Sequence, residues 1–350
     1  MGARLAIVGV GWWATFNHIP TIEAIEHADI VAICDLDSEK LKIVGAEFGI
    51  SAQYTDITEM LSKEKLDGVL ISTPHIYHTE AAILALEAGC HVLVEKPMAT
   101  TAKDGTAIYE ASKFANKQVL IPTAMNFEDH TKQAVDWVAA NDIGDIRHVV
   151  CQMGSALADL FNGEPMLETE DHLFRPPAST WADPQKCGGY GWGQMSHSLA
   201  WLFYVTDLTL ESVYCMDGKS STGVDLYDAA VARASNGATV VLSGSSTVPK
   251  HRGLHLEVRL YGTKGMIVFD TERARLEMHL HDGNYEIVTL SQDDVAYDGA
   301  LPVQAFAALC KGEAVVNASN AECGAKTVET LDALYLSAKK GELVNIGAAR

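Results

Sequence analysis

The stretch RLAIVGVGWWA, residues 4–14, runs from an apolar segment directly into two glycines. Its apolar part predicts a buried strand, and the pattern that follows predicts a helix through Glu26. Gly9, Gly11 and Ala14 have the G-x-G-x-x-A spacing of a dinucleotide-binding turn. Gly9 permits the tight turn, Gly11 lets the backbone approach a pyrophosphate, and Ala14 keeps the helix close to the strand. The stretch therefore predicts a strand–turn–helix unit that binds a dinucleotide.

An acidic residue is expected about 20 residues beyond such a turn, at the end of the second strand. Asp35 ends a predicted strand over residues 29–35 and has this position. Its carboxylate can accept hydrogen bonds from a ribose 2′-hydroxyl and would repel a 2′-phosphate, so NAD is the predicted cofactor and NADP is less favoured. Asp37 competes for this role, and Ser38 is the predicted N-cap of a helix over residues 38–49. The alternative is that the glycines form only a turn and that Asp35 caps a helix.

Strands and helices alternate through the N-terminal third of the chain. Further strands are predicted over residues 66–73, 91–95 and 117–122, with helices over residues 76–89 and 101–116. This alternation, with strands that are apolar throughout, indicates a parallel sheet covered by helices on both faces. Residues 1–122 are therefore predicted to form an α/β domain.

The pattern changes beyond Pro122. A helix (130–141), a strand (145–153) and an irregular stretch (154–190) precede a series of strand-like runs between residues 210 and 290, and two helices follow (301–312 and 320–341). Consecutive strands joined by short turns indicate a mostly antiparallel sheet. Residues 123–350 are therefore predicted to be an α+β domain with a large open sheet, whose last helix can pack back on the first domain.

The composition excludes several classes of protein. With 48% hydrophobic and 21% charged residues, the 350-residue chain is typical of a folded protein with two domains. The net charge of −20 would repel nucleic-acid backbones and anionic membranes, although solubility alone can explain it. No apolar run reaches the roughly 18 residues of a membrane span, and no signal peptide is expected. The seven scattered cysteines include no CxxC pair, which argues against disulfides and structural zinc and favours the cytoplasm.

Two further segments carry candidate chemistry. GCHVLVEKPMA, residues 89–99, places Lys96 at the carboxyl end of a predicted strand, where ligands bind in open α/β sheets. A lysine with a lowered pKa can relay a proton, although a solvated loop lysine is the plain alternative. GGYGWGQMSHSLAWLF, residues 188–203, places Gln194 and His197 on one face at the start of an apolar helix. Alone, such a histidine is more often a core or capping residue.

Three segments of the chain carry a family resemblance. GVGWWATFNHIP (9–20), STPHIYHTEAAILALEAGCHVLVEKPMA (72–99) and WADPQKCGGYGWGQMSHSLAWLF (181–203) together resemble the glucose–fructose oxidoreductase / inositol dehydrogenase / MocA (Gfo/Idh/MocA) family, and the resemblance covers nearly the whole chain. It implies an N-terminal Rossmann domain for a nicotinamide dinucleotide, a dehydrogenase acting on a CH–OH group, and a C-terminal sheet that assembles a homodimer or homotetramer. It also implies a cis peptide bond between Lys96 and Pro97.

Candidate roles for individual residues follow from the motifs and the resemblance together. The predicted cofactor-binding residues are Gly9, Gly11, Trp12, Trp13, Asp35, Thr73, Pro74, His78, Glu95, Lys96 and Trp181, and the predicted substrate-binding residues are Lys96, Asn126, Glu128, Gln194 and His197. His78 is expected on the cofactor side or in packing rather than in catalysis. Gly193 stands four residues before His197, where many family members carry an aspartate.

The predicted function is an NAD-dependent oxidoreductase. Lys96 and His197 are the predicted catalytic pair on either side of the hydroxyl-bearing carbon, and one of them accepts the hydroxyl proton. Which of the two is the base stays open. The acidic residues near Glu128 suit a neutral sugar, glycoside or cyclitol better than a sugar acid. The alternatives are a dinucleotide-binding regulatory protein and a redox-neutral glycosidase that uses NAD transiently. No metal site and no nucleic-acid or membrane partner is predicted.

Overall fold

The first sheet is parallel throughout, as the alternating pattern predicted. The computed structural model describes residues 2–347. The strands of this sheet are β1 (Ala3–Val8), β2 (Ala28–Cys34), β3 (Gln53–Tyr54), β4 (Gly68–Ile71), β5 (His91–Val94) and β6 (Val119–Leu120). Their spatial order is β3-β2-β1-β4-β5-β6, so the winding reverses at β1. The segments that follow β1, β4 and β5 therefore meet at one edge of the sheet, where ligands bind in such folds.

The helices of this half are α1 (Ile19–Glu23), α2 (Ser38–Glu47), α3 (Ile57–Lys63), α4 (His78–Glu87) and α5 (Ala102–Ala115). The helix after the glycine turn ends at Glu23 rather than Glu26, and a π-helical turn, Ala14–His18, precedes it. The predicted Ser38 cap is wrong. Asp37 is the N-cap of α2, because its backbone is extended and its carboxylate accepts the N–H groups of Glu39 and Lys40.

The second sheet is mostly antiparallel, as predicted. Its strands are β7 (Ile146–Gly154), β8 (Leu210–Lys219), β9 (Asp225–Ala234), β10 (Thr239–Ser245), β11 (His255–Gly262), β12 (Gly265–Asp270), β13 (Arg275–Leu280), β14 (Tyr285–Thr289) and β15 (Val344–Asn345). Their order is β14-β13-β12-β11-β7-β10-β9-β8-β15, and the β7–β10 pair is the parallel exception. Strand β9 alternates buried and exposed side chains, so helices cover one face of the sheet and leave the other open.

Beyond the first sheet, the described residues form six further helices: α6 (Asp129–Ala139), α7 (Ala158–Phe161), α8 (Ala178–Trp181), α9 (Ser196–Thr206), α10 (Ala300–Cys310) and α11 (Ala321–Lys340). A π-helical turn, Gly191–Met195, leads into α9, whose side chains are almost all buried. The last two helices return to the N-terminal half. Val303 and Phe306 of α10 share a core with Leu5 of β1, and α11 packs along α5. Residues far beyond position 122 thus complete the first core, where each buried Phe or Leu contributes about 1.5–3 kcal/mol.

Candidate active site

The glycine turn after β1 has the space that a dinucleotide needs. Gly9 has φ +87°, and a Cβ there would lie 2.7 Å from the Ser72 carbonyl, so only glycine fits this close approach of two strand ends. At Gly11 an added Cβ would meet nothing within 4 Å, so that side of the turn is open. Gly9 therefore allows the turn to contact the end of β4, and Gly11 leaves space for a pyrophosphate, as in a dinucleotide-binding turn.

Asp35 lies against this turn and Asp37 does not. One carboxylate oxygen of Asp35 accepts the Val10 N–H at 3.0 Å, and the other accepts the Asp37 N–H at 3.0 Å. Asp37 instead caps α2. Each carboxylate oxygen of Asp35 can accept a further hydrogen bond. Of the two predicted competitors, Asp35 is the one whose position suits a ribose hydroxyl.

Lys96 reaches from the first domain to the helix that carries the candidate histidine. The Lys96–Pro97 peptide bond is cis, as the resemblance implied. The Lys96 ammonium donates to the Gly193 carbonyl at 2.9 Å and lies 5.2 Å from the centre of the Trp181 ring. Burial lowers the pKa of Lys96, although the Glu95 carboxylate partly opposes this shift. A lysine that is short of water and of carboxylate partners can lose its proton more readily than a surface lysine.

Glu95, a predicted cofactor residue, is paired inside the protein. Its Oε1 lies 3.0 Å from Nε2 of the buried His18, although the two are not aligned as a hydrogen bond, and its Oε2 accepts the Lys96 N–H at 3.1 Å. Burial opposes ionisation of Glu95, but the His18 contact and the charge of Lys96 outweigh it and lower the pKa of the carboxyl. Glu95 is thus an anion that fixes the backbone of the lysine loop.

His197 and Gln194 offer polar groups that no protein atom uses. His197 is 5% exposed and Gln194 is 7% exposed. Among residues 2–347 neither side chain has a hydrogen-bond partner, and neither has a polar atom sealed from solvent. Burial, followed by the nearby Lys96 charge, lowers the pKa of His197 well below its ordinary value. The imidazole is therefore neutral, with one nitrogen that can donate and one that can accept a hydrogen bond.

A buried aspartate on β9 anchors the turn that carries Gln194 through hydrogen bonds. Asp225 of β9 accepts the Gly191 N–H and the Tyr335 hydroxyl, both at 2.7 Å, and the same hydroxyl accepts the Trp192 N–H at 3.1 Å. Asp225 is fully buried. These bonds satisfy the first backbone donors of the π-helical turn, which would otherwise be orphaned.

The predicted tryptophans differ in position. Trp181 lies beside Lys96, and Trp13 has its ring 6.4 Å from those of both His18 and Tyr297. Trp12 contacts the second domain, where its indole N–H donates to Nδ1 of His172 at 2.8 Å.

The loop after β4 contributes a buried hydroxyl. The Thr73 hydroxyl is sealed from solvent and has no hydrogen-bond partner among residues 2–347, so it is an orphaned polar group beside the glycine turn. Pro74 follows and precedes the short turn His75–Tyr77.

Two predicted contacts are corrected by the structure. His78 is fully buried, with Nδ1 2.8 Å from the Pro97 carbonyl and Nε2 2.8 Å from the Thr73 carbonyl, so neither nitrogen is free for a cofactor. It joins the loops after β4 and β5 instead. Asn126 is 2% exposed, and its amide donates to the Ala200 and Ala318 carbonyls. Asn126 therefore ties α9 to the segment before α11 and is closed to a substrate.

Glu128 precedes α6 in an acidic group. It is half-buried, and burial, together with the charges of Asp298, Asp129 and Asp294, raises the pKa of Glu128 to about 7. This acidic group is unfavourable for an anionic ligand.

Three residues of the site were missed by sequence reasoning: Tyr297, His18 and His75. The His75 ring meets the Trp181 ring edge-on at 5.1 Å, and its Nδ1 lies 3.1 Å from the Cys187 carbonyl. Burial, and then the neighbouring His78, lowers the pKa of His75 to about 3. His18 and His75 fall inside the segments that carried the resemblance, so a signal existed for them. Tyr297 lies in an irregular segment without any motif.

Two classes of feature are absent from the part of the chain that the structure describes. Residues 2–347 contain no cluster of three or more His, Cys, Asp or Glu side chains arranged to hold a metal ion. Over the same range no helix is both long enough and apolar enough to cross a membrane.

The fold and the site together define a protein whose first sheet has the winding and glycine turn of a dinucleotide-binding domain and whose lysine loop reaches the second domain. Comparison with known families identifies it further: the model described as "Oxidoreductase family, NAD-binding Rossmann fold" matches residues 3–123, and the model for the GFO/IDH/MocA C-terminal domain matches residues 131–268. The chain belongs to the Gfo/Idh/MocA oxidoreductase family.

Individual relatives are similar over different lengths. D-apiose dehydrogenase of Paraburkholderia graminis is 32% identical over 48% of this chain and 44% of its own length, so the chain matches less than half of that relative. D-xylose 1-dehydrogenase (NADP(+)) 2 of Haloferax volcanii is 25% identical over 97% of this chain and 98% of its own. A solved structure of levoglucosan dehydrogenase in complex with NADH has a TM-score of 0.77 at 19% identity, covering 99% of both chains. This last similarity is one of fold.

Proposed function

We propose that the protein is an NAD-dependent dehydrogenase that oxidises a secondary hydroxyl of a neutral sugar, glycoside or cyclitol. The observation that carries the proposal is the 2.9 Å bond from the Lys96 ammonium to the Gly193 carbonyl. This bond brings the lysine at the edge of the dinucleotide-binding sheet to the turn that leads into His197. A proton acceptor from one domain and a neutral imidazole from the other then flank the same cleft.

The cofactor assignment rests on how the glycine turn is built. Gly9 and Gly11 leave room for a pyrophosphate, Asp35 has acceptor capacity for a ribose hydroxyl, and the buried Thr73 hydroxyl lacks a protein partner. When bound, NAD supplies the acceptor for the hydride. A carboxylate at position 35 disfavours the 2′-phosphate of NADP, although two relatives with NADP in their names have other preferences.

The protein residues perform the proton chemistry. Lys96 is the proposed base, because burial lowers its pKa and makes the free amine more accessible than in a surface lysine, whereas burial lowers the pKa of His197 well below its ordinary value and leaves that imidazole a weak proton acceptor. Neutral His197 holds the substrate hydroxyl in line with Lys96. As the carbonyl group forms, the hydroxyl proton passes to the Lys96 amine. General-base assistance of this kind contributes a factor on the order of 10² to 10⁴ in rate.

The substrate class follows from charge and from the relatives. The group around Glu128 is acidic, and a sugar acid would be repelled there. The names of three relatives specify D-apiose, D-xylose and scyllo-inositol, which are uncharged polyhydroxy compounds, whereas two other relatives are named for carboxylated substrates. The acidic group around Glu128 favours the uncharged class here. We also propose homo-oligomers that associate through the open sheet face. All seven cysteines are free thiols, which supports the cytoplasm as the compartment.

The proposal is tested by following NADH formation with D-xylose, D-glucose, scyllo-inositol and methyl glucosides. At least one of them should reduce NAD, and Lys96→Ala and His197→Ala should each lower kcat/KM by roughly 10²-fold or more. The matched controls are Lys103→Ala and His251→Ala, at exposed positions outside the site. Asp35→Ser should raise the use of NADP relative to NAD. Tight NAD binding without reduction by any alcohol would instead favour a regulatory protein, and equal use of NAD and NADP by the wild type would contradict the Asp35 assignment.

A further inference from the structure

Tyr297 lies in the cleft beside the proposed catalytic pair. Its ring meets the His197 ring edge-on, with centroids 5.6 Å apart and planes at 89°. On its other side, the Trp13 ring is 6.4 Å away at 56°. Glu95, the neighbour of Lys96, is close enough to act on its hydroxyl electrostatically. The side chain therefore sits among groups from the glycine turn, the lysine loop and α9.

The segment that carries Tyr297 is fixed to the N-terminal domain. The Asn17 amide donates to the Gly299 carbonyl at 3.0 Å, and a Cβ at position 299 would lie 2.6 Å from the Asn17 side-chain oxygen. The Asp298 carboxylate accepts the Ala300 N–H at 2.8 Å, at the first residue of α10. These contacts define the backbone on the C-terminal side of Tyr297, so its ring is positioned rather than left on a free loop.

The hydroxyl of Tyr297 is free to bind a ligand. Among residues 2–347 it has no hydrogen-bond partner, yet its oxygen is not sealed from solvent. A partly buried tyrosine normally finds a partner for its hydroxyl. Burial, and then the charges of Glu95 and Asp298, raise the pKa of Tyr297 far above its ordinary value, so the phenol stays protonated and can donate.

From this geometry we infer that Tyr297 is a substrate-binding residue that donates a hydrogen bond to a sugar hydroxyl next to the one that is oxidised. This inference rests on the proposed function and deepens it. His197 and Gln194 supply the other free polar groups, so the site recognises a neighbouring pair of hydroxyls with neutral donors and acceptors. A neutral phenol suits an uncharged polyol, because it forms a hydrogen bond without requiring an opposite charge.

The test uses Tyr297→Phe in the full chain, since phenylalanine keeps the ring against His197 and Trp13 and removes only the hydroxyl. With D-xylose, D-glucose and scyllo-inositol, kcat/KM should fall about 10-fold for the loss of one hydrogen bond, mainly through a higher KM. The dissociation constant for NAD and the Tm should stay unchanged. Tyr109→Phe, on α5 and away from the cleft, is the matched control and should change nothing. The monodeoxy sugar that lacks the contacted hydroxyl should give equal kcat/KM in the wild type and in Tyr297→Phe.

The outcomes separate this inference from the proposed function. Equal kcat/KM for all sugars in the wild type and in Tyr297→Phe would overturn the inference alone. If the wild type binds a sugar, measured by tryptophan fluorescence of the NADH complex, but turns none over, weaker binding by Tyr297→Phe would support the inference while the proposed function fails. If the wild type neither binds nor oxidises any of these sugars, both are overturned.

Discussion

Lys96 shows how one side chain acquires a chemical role from its surroundings. In water an ammonium group keeps its proton to pH values near 10.5, but burial in the cleft lowers the pKa of Lys96. The Lys96 ammonium donates its hydrogen bond to the Gly193 carbonyl rather than to a carboxylate. A carbonyl accepts a hydrogen bond from the ammonium and adds no full negative charge that would hold the proton.

This environment predicts the pH dependence of sugar oxidation. In the proposed mechanism the free amine of Lys96 is the active form, so kcat/KM should rise with pH through the lowered pKa of Lys96, below 10.5, and then level off. Lys96→Arg, which stays protonated, should lose this rise and on the order of 10²-fold or more in rate. His197→Asn should be slower but keep the rise. A pH–rate profile of the three proteins decides the matter, and loss of the rise in His197→Asn alone would make His197 the base.

The π-helical turn Gly191–Met195 leads directly into α9 and so determines the position of His197 in the first turn of that helix. Gly189 adopts φ +114°, where a Cβ would lie against the Asp225 carboxylate, so the entry to the turn needs glycine. Gly193 is similarly enclosed, because a Cβ there would lie 3.1 Å from the Trp181 ring and 3.3 Å from the Phe161 ring. An aspartate side chain, common in the family at this position, would have to displace these rings.

Asp225→Asn tests how far this turn depends on its buried anchor. Asparagine can replace only one of the two charge-assisted acceptors, so the free energy of unfolding should fall by about 1.5–3 kcal/mol. Activity should fall with it, since the turn positions Gln194 and His197. Urea denaturation followed by circular dichroism, together with kcat/KM, measures both. Asp136→Asn, which removes an exposed pair with Lys132, should cost less than about 1 kcal/mol; an equal loss in the two variants would contradict the anchoring role.

At the scale of the whole molecule, the two sheets are used differently. Helices cover both faces of the first sheet, whereas the second sheet leaves one face open. Large apolar side chains are exposed there: Tyr227 (51%) and Val231 (54%) on β9, and Tyr285 (68%) and Ile287 (53%) on β14. The two pairs lie toward opposite edges of the sheet, since β14 and β9 are separated by five strands. Exposed apolar surface on an open sheet face is typical of an association site.

Val231→Asp should therefore disrupt the proposed homo-oligomer. A carboxylate on this face would have to be desolvated on association, which is strongly unfavourable. Light scattering should show a multiple of the 37.7 kDa chain mass for the wild type and a shift toward 37.7 kDa for Val231→Asp. Phe114→Asp, at a 95% exposed residue on α5, is the control and should leave the mass unchanged. A wild type that already runs as a single chain would contradict the assembly.

The parts of the site that sequence could predict are those built locally. Gly9, Gly11 and Asp35 lie around adjacent strand ends, and their spacing alone indicated the turn and its acid. The parts that it could not predict depend on contacts across long separations, such as Trp12 with His172, Asn17 with Gly299, and Gly191 with Asp225. The predicted ligand contacts of His78 and Asn126 are wrong for a related reason. Both side chains are buried, and their polar groups bond backbone carbonyls within the protein.

The sequence by itself determined the two fold classes, the dinucleotide turn and the candidate pair Lys96 and His197, because hydrophobic periodicity and glycine spacing act over a few neighbouring residues. The tertiary structure alone decided that Lys96 bonds the Gly193 carbonyl, that α10 returns to the first sheet, and that Tyr297 stands beside His197. These contacts are selected by packing of the whole chain, since burial and charge at a given side chain depend on residues brought together only by folding.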